Sequence, residues 1–259
     1  LPCKGRYTPL WLKIQKEEIQ MRNLKRALSL ALAAIMLIGM MVVSASAASY
    51  NNLTDKDEIV NKDAVSMLVS LGIIEGKPDG SYAPTENVDR AQMAKMLSVI
   101  MNKGVDNSAL YQSVNSGLVD VNTNWAKGHI NYCYTTGIIA GRGNGKFDPS
   151  ATVTALEAAK MLLVAVGYDP KIEGFEGADW AINVSVRADE QGIFEGFTKD
   201  LSAPLNRDDA ALLIYNALDV EMIQSYTTNN YPIAYSDHRT ILADKYGVIK
   251  VEGVVTANE

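Results

Sequence analysis

The sequence predicts a mainly α-helical fold made of three helix-turn-helix repeats, and three observations predict it. One short pattern occurs three times, as Leu71-Gly72-Ile73-Ile74-Glu75-Gly76, Thr136-Gly137-Ile138-Ile139-Ala140-Gly141 and Gln191-Gly192-Ile193-Phe194-Glu195-Gly196. Each copy has an apolar-periodic stretch before it, then a turn, then a second such stretch opening on a polar capping motif. The intervals from Gly72 to Gly137 and from Gly137 to Gly192, 65 and 55 residues, fit a helix pair of the repeat-protein class. Repeats of this kind point to binding before catalysis.

Taken in order, residues 1–20 show no targeting logic and are expected to be translation upstream of a true start at Met21. Arg22, Lys25 and Arg26 then precede an apolar run from Ala27 to Val43 and the small-residue site Ala45-Ser46-Ala47. That is the pattern of an export signal over 21–47, cleaved after Ala47, with an uncleaved membrane anchor as the competing reading. Without residues 1–47 the chain keeps 17 basic against 28 acidic residues, a net charge near −11. Such a chain is repelled by nucleic acid and by anionic polymers in general, so any anion it binds needs a local, built site.

The repeats are expected at 50–104, 111–168 and 173–220. In the second, Trp125, Ala126, His129, Ile130 and Cys133 recur at helical spacing behind the polar run Asp120–Asn124. Gly137 suits a left-handed helix C-cap, and Ile138-Ile139 then turn back onto the core. Phe147 plugs the glycine-rich turn, and Pro149 precedes the second helix. Asp89 with Gln92, Thr154 with Glu157 and Asn206 with Asp209 have capping-box spacing and mark three helix starts. The second helices each carry one apolar stripe, such as Met93, Leu97 and Ile100, so no single pair buries both of its helices and the three must pack together.

Cys133 has no partner cysteine once Cys3 is removed, and with His129 it offers two metal ligands without a third, so both read as structural. Arg90 and Arg207 stand at the first helical position, where the helix dipole disfavours a cation by ~0.3–1 kcal/mol. Free backbone N–H groups there, joined by a forked guanidinium, would make an anion site. The alternative is a solvated Arg, or one paired with Asp79 or Asp208.

The motifs Asp120-Val121, Trp125-Ala126, Gly137-Ile138-Ile139-Ala140-Gly141, Phe147-Asp148-Pro149 and Val153-Thr154 resemble the S-layer homology domain. The other copies add Gly76-Lys77-Pro78-Asp79-Gly80, Tyr82-Ala83-Pro84 with Arg90, and Trp180-Ala181 with Arg207. The resemblance covers roughly residues 50–220. It implies a pseudo-threefold helical module that holds an exported bacterial protein on the cell wall, with no cofactor and no catalytic set. Its expected partner is a secondary cell wall polysaccharide, often bearing a pyruvate ketal, or peptidoglycan itself. Carried over, Arg90 and Arg207 would meet a ligand carboxylate, Trp125 and Trp180 would pack at groove walls or in the core, and Asp79 and Gly80 would shape a groove edge. The chain departs from the pattern at Ala155 (the Arg position), Val60 (the Trp position) and Ser202 (the aromatic position), so at most two grooves keep their Arg.

Beyond the repeats, 225–259 is expected to be a polar linker followed by the start of a β-rich region, with alternation at Val248–Val255, belonging to a C-terminal domain that continues past Glu259. The alternative is that the repeats anchor an exported enzyme, for example a glycan hydrolase, whose catalytic domain follows. His238 in Ser236-Asp237-His238-Arg239 has no nucleophile in place to make a triad.

Overall fold

Six helices arranged as three consecutive pairs build the core of the described residues: α1 (Lys62–Ser70), α2 (Arg90–Met101), α3 (Lys127–Thr135), α4 (Ala155–Val166), α5 (Trp180–Glu190) and α6 (Arg207–Leu218). The structure is a computed structural model that describes residues 49–249. The export signal expected over 21–47 and most of the alternating stretch 248–255 lie outside those residues. Among the described residues, no helix is long and apolar enough to cross a membrane.

The pairs do not pack as closed hairpins. The second helix of each repeat leans on the first helix of the next: α2 on α3, α4 on α5, and α6 back on α1. The second helices also meet one another, α4 touching both α2 and α6. This closes the three repeats into a ring, which answers the requirement that no pair can bury its own stripes.

At the centre, three residues just ahead of the helix caps exchange backbone hydrogen bonds in a cycle. Val88 N–H donates to Leu205 O at 2.8 Å, Leu205 N–H to Val153 O at 2.8 Å, and Val153 N–H to Val88 O at 2.9 Å. All three side chains are buried. The cycle marks the pseudo-threefold axis.

Local chemistry fixes the turns in the expected places. Gly72, Gly137 and Gly192 all take φ between 70° and 78°, which costs a β-carbon-bearing residue and suits glycine. Behind them Ile73, Ile138 and Ile193 each donate an N–H to the helix five residues back, at 2.9 Å in every copy, and turn into the core. Phe147 and Tyr82 plug their turns with no more than 1% exposure. A carboxylate straps each plug down: Asp120 accepts from Phe147 and Asp148 N–H, and Asp55 from Tyr82 and Ala83 N–H.

The caps are not all alike. Asp89 with Gln92 and Thr154 with Glu157 form full reciprocal capping boxes. Asn206 accepts from Asp209 N–H, but the Asp209 side chain turns away to Lys199 and nothing returns to the cap. A carboxylate one methylene shorter than Glu, with a lysine in reach, is drawn to the ion pair instead.

The segment read as a polar linker is ordered. Ile223–Tyr226 (β1) and Pro232–Ala234 (β2) pair antiparallel, so 225–230 is the end of a strand and a hairpin turn. Gly167 lets this hairpin approach closely, since a β-carbon there would lie 2.5 Å from Ile223 O. A further helix, α7 (Ile241–Tyr246), packs on α2 and α6 with Ile241 and Leu242 buried, and Tyr246 Oη–H reaches Ile100 O at 3.3 Å.

Candidate ligand grooves

The ring brings residues from all three repeats together at each of two grooves. Groove 1, about 260 Å³, has the first repeat's loop and α2 on one side, carrying Glu75, Lys77 and Lys95, with Trp125 from the second repeat and Arg207 from the third. Groove 2, about 410 Å³, repeats this one step round: Arg142 and Lys160 from the second repeat, Trp180 from the third and Arg90 from the first. Both sizes suit a small ligand or a short part of a polymer.

The two arginines are held identically. Arg207 Nε–H donates to Tyr82 O at 2.7 Å and Nη2–H to Glu75 O at 3.1 Å, with the guanidinium 4.7 Å from the Tyr82 ring centre. Arg90 Nε–H donates to Phe147 O at 2.8 Å and Nη2–H to Ala140 O at 2.9 Å, 4.3 Å from the Phe147 ring centre. Aromatic face and carbonyl oxygens replace the water each cation gives up. Burial and the nearby Arg142 push the Arg90 pKa down to about 10, which leaves it charged at neutral pH.

This sets aside the alternative of a solvated Arg and corrects the expected anion site at the helix N-termini. Neither arginine is solvent-facing: Arg90 is 4% exposed and Arg207 is partly buried. Nor are the helix N-terminal N–H groups free to bind an anion. Arg90 and Ala91 N–H donate to Ala151 and Pro149 O, and Arg207 and Asp208 N–H donate to Glu86 and Pro84 O. The third N–H of each helix goes to its own cap. The junction between repeats consumes these donors, so an anion in either groove must be met by side chains. Among the described residues, the Nη1 of each Arg has no hydrogen-bond or ion-pair partner. Asp208 is occupied elsewhere, accepting from Asn61 N–H and Nδ2–H across the ring. Asp79 is occupied too.

Trp125 is 58% exposed, with its ring edge-on to buried His129 at 6.4 Å, and forms an open wall of groove 1. Trp180 is partly buried, with Lys160 Nζ 5.6 Å from its ring centre. Asp79 and Gly80 are not on the linings of groove 1 or groove 2. Asp79 accepts from Ser81 N–H and Oγ–H, and Gly80, at φ 85°, donates to Lys77 O, so together they hold the turn that carries Lys77 from behind.

The third position of the ring has neither cation nor indole where its siblings do. Ala155 is fully buried, Val60 is 82% exposed in place of Trp, and Leu212 replaces Lys95 and Lys160. The two lysines escaped the sequence reading. Superposing the second helices by their caps would have found them, since Lys95, Lys160 and Leu212 each stand six residues past Asp89, Thr154 and Asn206.

The other chemistry-bearing residues are structural. His129 Nδ1 meets Ser98 Oγ at 2.6 Å and its Nε2 lies 3.6 Å from Asp106, holding the 105–111 segment to α2. Cys133 is fully buried, its thiol 3.4 Å from Ala94 O, and burial pushes its pKa up. Exposed His238 pairs with Glu221 at 2.8 Å.

Residues 52–94 and 119–159 match the family model of the S-layer homology domain. A "Cell surface protein" of Thermoanaerobacter kivui is 30% identical over 206 residues, 79% of this chain and 26% of that protein. An "S-layer protein" of Bacillus licheniformis is 33% identical over 113 residues, 44% of this chain and 12% of that one. An "Amylopullulanase" of Thermoanaerobacterium thermosulfurigenes is 30% identical over 172 residues, 61% of this chain and 9% of that one. The chain thus spans about a quarter or less of the length of these curated relatives. Two segments of the chain are thus similar to the S-layer homology domain, and a third helix pair closes the same ring by the same backbone hydrogen bonds.

Proposed function

We propose that this chain is an anchoring module: it holds an exported bacterial surface protein on the cell wall without a covalent bond, by taking a secondary cell wall polysaccharide into grooves 1 and 2. The observation that carries this reading is the convergence, twice, of an aromatic-backed Arg, a Trp and a Lys from three different repeats. A fixed cation beside an indole face fits an acidic sugar, because the ring stacks while the carboxylate is met by donors that are already oriented. A carboxylate-bearing substituent such as a pyruvate ketal is the finer expectation. Residues 173–220 act as the third repeat, with a groove that binds weakly or not at all for want of Arg, Trp and Lys. The described residues then do no chemistry of their own.

The test is co-sedimentation of the full chain with wall sacculi before and after hydrofluoric acid strips the secondary polymer. Loss of binding on stripping supports the polysaccharide as ligand. Unchanged binding would redirect the reading to peptidoglycan, and absence of binding to both would end it. A second reading, that the repeats anchor an exported glycan-degrading enzyme, draws on the similarity to an amylopullulanase. The sequence of the gene beyond Glu259 decides between the two.

A further inference from the structure

We propose that the two grooves are not equivalent, that groove 2 takes an anionic glycan ahead of groove 1, and that the residue deciding this is Glu75 in one and Ala140 in the other. This inference rests on the anchoring reading. The two residues occupy the same place in the ring: the carbonyl of each receives Nη2–H of the groove's arginine, Arg207 at 3.1 Å and Arg90 at 2.9 Å. Their side chains differ in kind. Glu75 carries a carboxylate into groove 1, where it lies 3.4 Å from Lys95 Nζ. Ala140 offers only a methyl, and Lys160, the counterpart of Lys95, makes no ion pair among the described residues and stands over the Trp180 ring instead.

The remaining charges sharpen the contrast. In groove 1, Lys77 is paired with Glu86, so the cations other than Arg207 are both matched by carboxylates. In groove 2, Glu157 is spent on Arg142 at 2.7 Å and on its capping box, and Glu176 lies on the lining beyond ion-pair reach of Lys160. Lys160 and the Nη1 of Arg90 are therefore left without a direct ion pair beside an indole, with Glu176 and Glu157 acting on Lys160 only from longer range. Burial holds the Lys160 pKa below the ordinary lysine range, consistent with a partly desolvated ammonium that gains from an anionic partner. A carboxylate entering groove 1 must displace Glu75 from Lys95 and bear its repulsion at contact, whereas in groove 2 it meets two cations with no ion pair to break. One charge-assisted contact more or less is worth about tenfold or greater in affinity.

The two indoles report the grooves separately. The full 15N-labelled chain is titrated with the methyl glycoside of a 4,6-pyruvate-ketal hexose, and with its neutral carboxamide, following the side-chain N–H signals of Trp125 and Trp180, assigned by replacing each with Phe. Trp180 is expected to shift at about tenfold lower concentration of the acid than Trp125, and the carboxamide to remove that difference. Ala140→Glu should abolish the advantage of Trp180, and Glu75→Ala should bring Trp125 to the same midpoint. Both positions are exposed, so neither change disturbs packing. Lys160→Gln should weaken the Trp180 response alone. Equal midpoints in the wild-type chain, or midpoints that ignore the two exchanges, would overturn this inference and leave the anchoring reading standing. No response from either indole would overturn the acidic-sugar reading and this inference with it.

Discussion

Arg90 fastens one repeat to the next and is also the side chain proposed to meet the ligand in groove 2. Its Nε–H satisfies Phe147 O in a buried contact and its Nη2–H reaches Ala140 O at the groove wall, so Arg90→Ala strands the Phe147 carbonyl and empties the space over the Phe147 ring. At ~1.5–3 kcal/mol for a buried hydrogen bond to a charged group, the variant should lose about 2 kcal/mol of stability. Arg207→Ala, partly exposed, should lose less. Urea denaturation followed by circular dichroism reads both, and an unchanged midpoint for Arg90→Ala would refute the fastening role. Loss of wall binding in that variant is then no proof of a ligand contact, which is why Nη1 and Lys160 are better probes. His129 carries a pH dependence. Desolvation lowers its pKa from the ordinary 6.5, against the pull of Asp106 and with the push of Lys95. The unfolded chain binds the proton more readily, so this stability is complete above about pH 6.5 and declines as pH falls toward the lower folded-state value. His129→Gln should flatten the acid limb of a stability-versus-pH curve, as measured by urea midpoints.

At the scale of elements, the clearest revision concerns the end of the repeats. The chain after Asp219 folds back: the hairpin β1–β2 sits against Gly167, Tyr226 Oη–H donates to Glu173 at 3.0 Å, and α7 covers α2 and α6. Leu242 is 2% exposed in that contact, so Leu242→Ala should remove about 2 kcal/mol or more. Hydrogen exchange should show α7 amides losing protection first in this variant. Equal protection in variant and wild type would mean that α7 contributes nothing to the ring. A fragment ending at residue 220 lacks this cover and is a poor test of binding.

At the scale of the whole molecule, the intercalated packing makes the repeats interdependent. Each first helix lies on the second helix of the preceding repeat, and the hydrogen-bond cycle through Val88, Val153 and Leu205 exists only when all three are present. The Asn61–Asp208 contact joins the ends of the ring across 147 residues of sequence. The ring should therefore unfold in one step, with indole fluorescence and far-ultraviolet circular dichroism giving coincident curves. Separate transitions would show that the repeats are stable as pairs. Grooves built from three repeats must then appear and vanish with the fold.

Much of this was legible in the chain itself, because it is written in local chemistry. Gly72, Gly137 and Gly192 end the first helix of each repeat through their own backbone freedom, and Asp89, Thr154 and Asn206 start the second through their own side chains, so these ends and starts follow from residues a few positions apart. That the third position of the ring lacks the Arg and Trp of its siblings could be read for the same reason, as Ala155 and Val60 stand in their places. What no local pattern contains is which repeat answers which. That Arg90 fastens the second repeat's loop, that Arg207 fastens the first, that the helix-start N–H groups are consumed by a neighbour and that Lys160 stands unpaired are consequences of distant segments meeting in the closed ring, where burial and the competition for each carbonyl and carboxylate are settled only by tertiary packing.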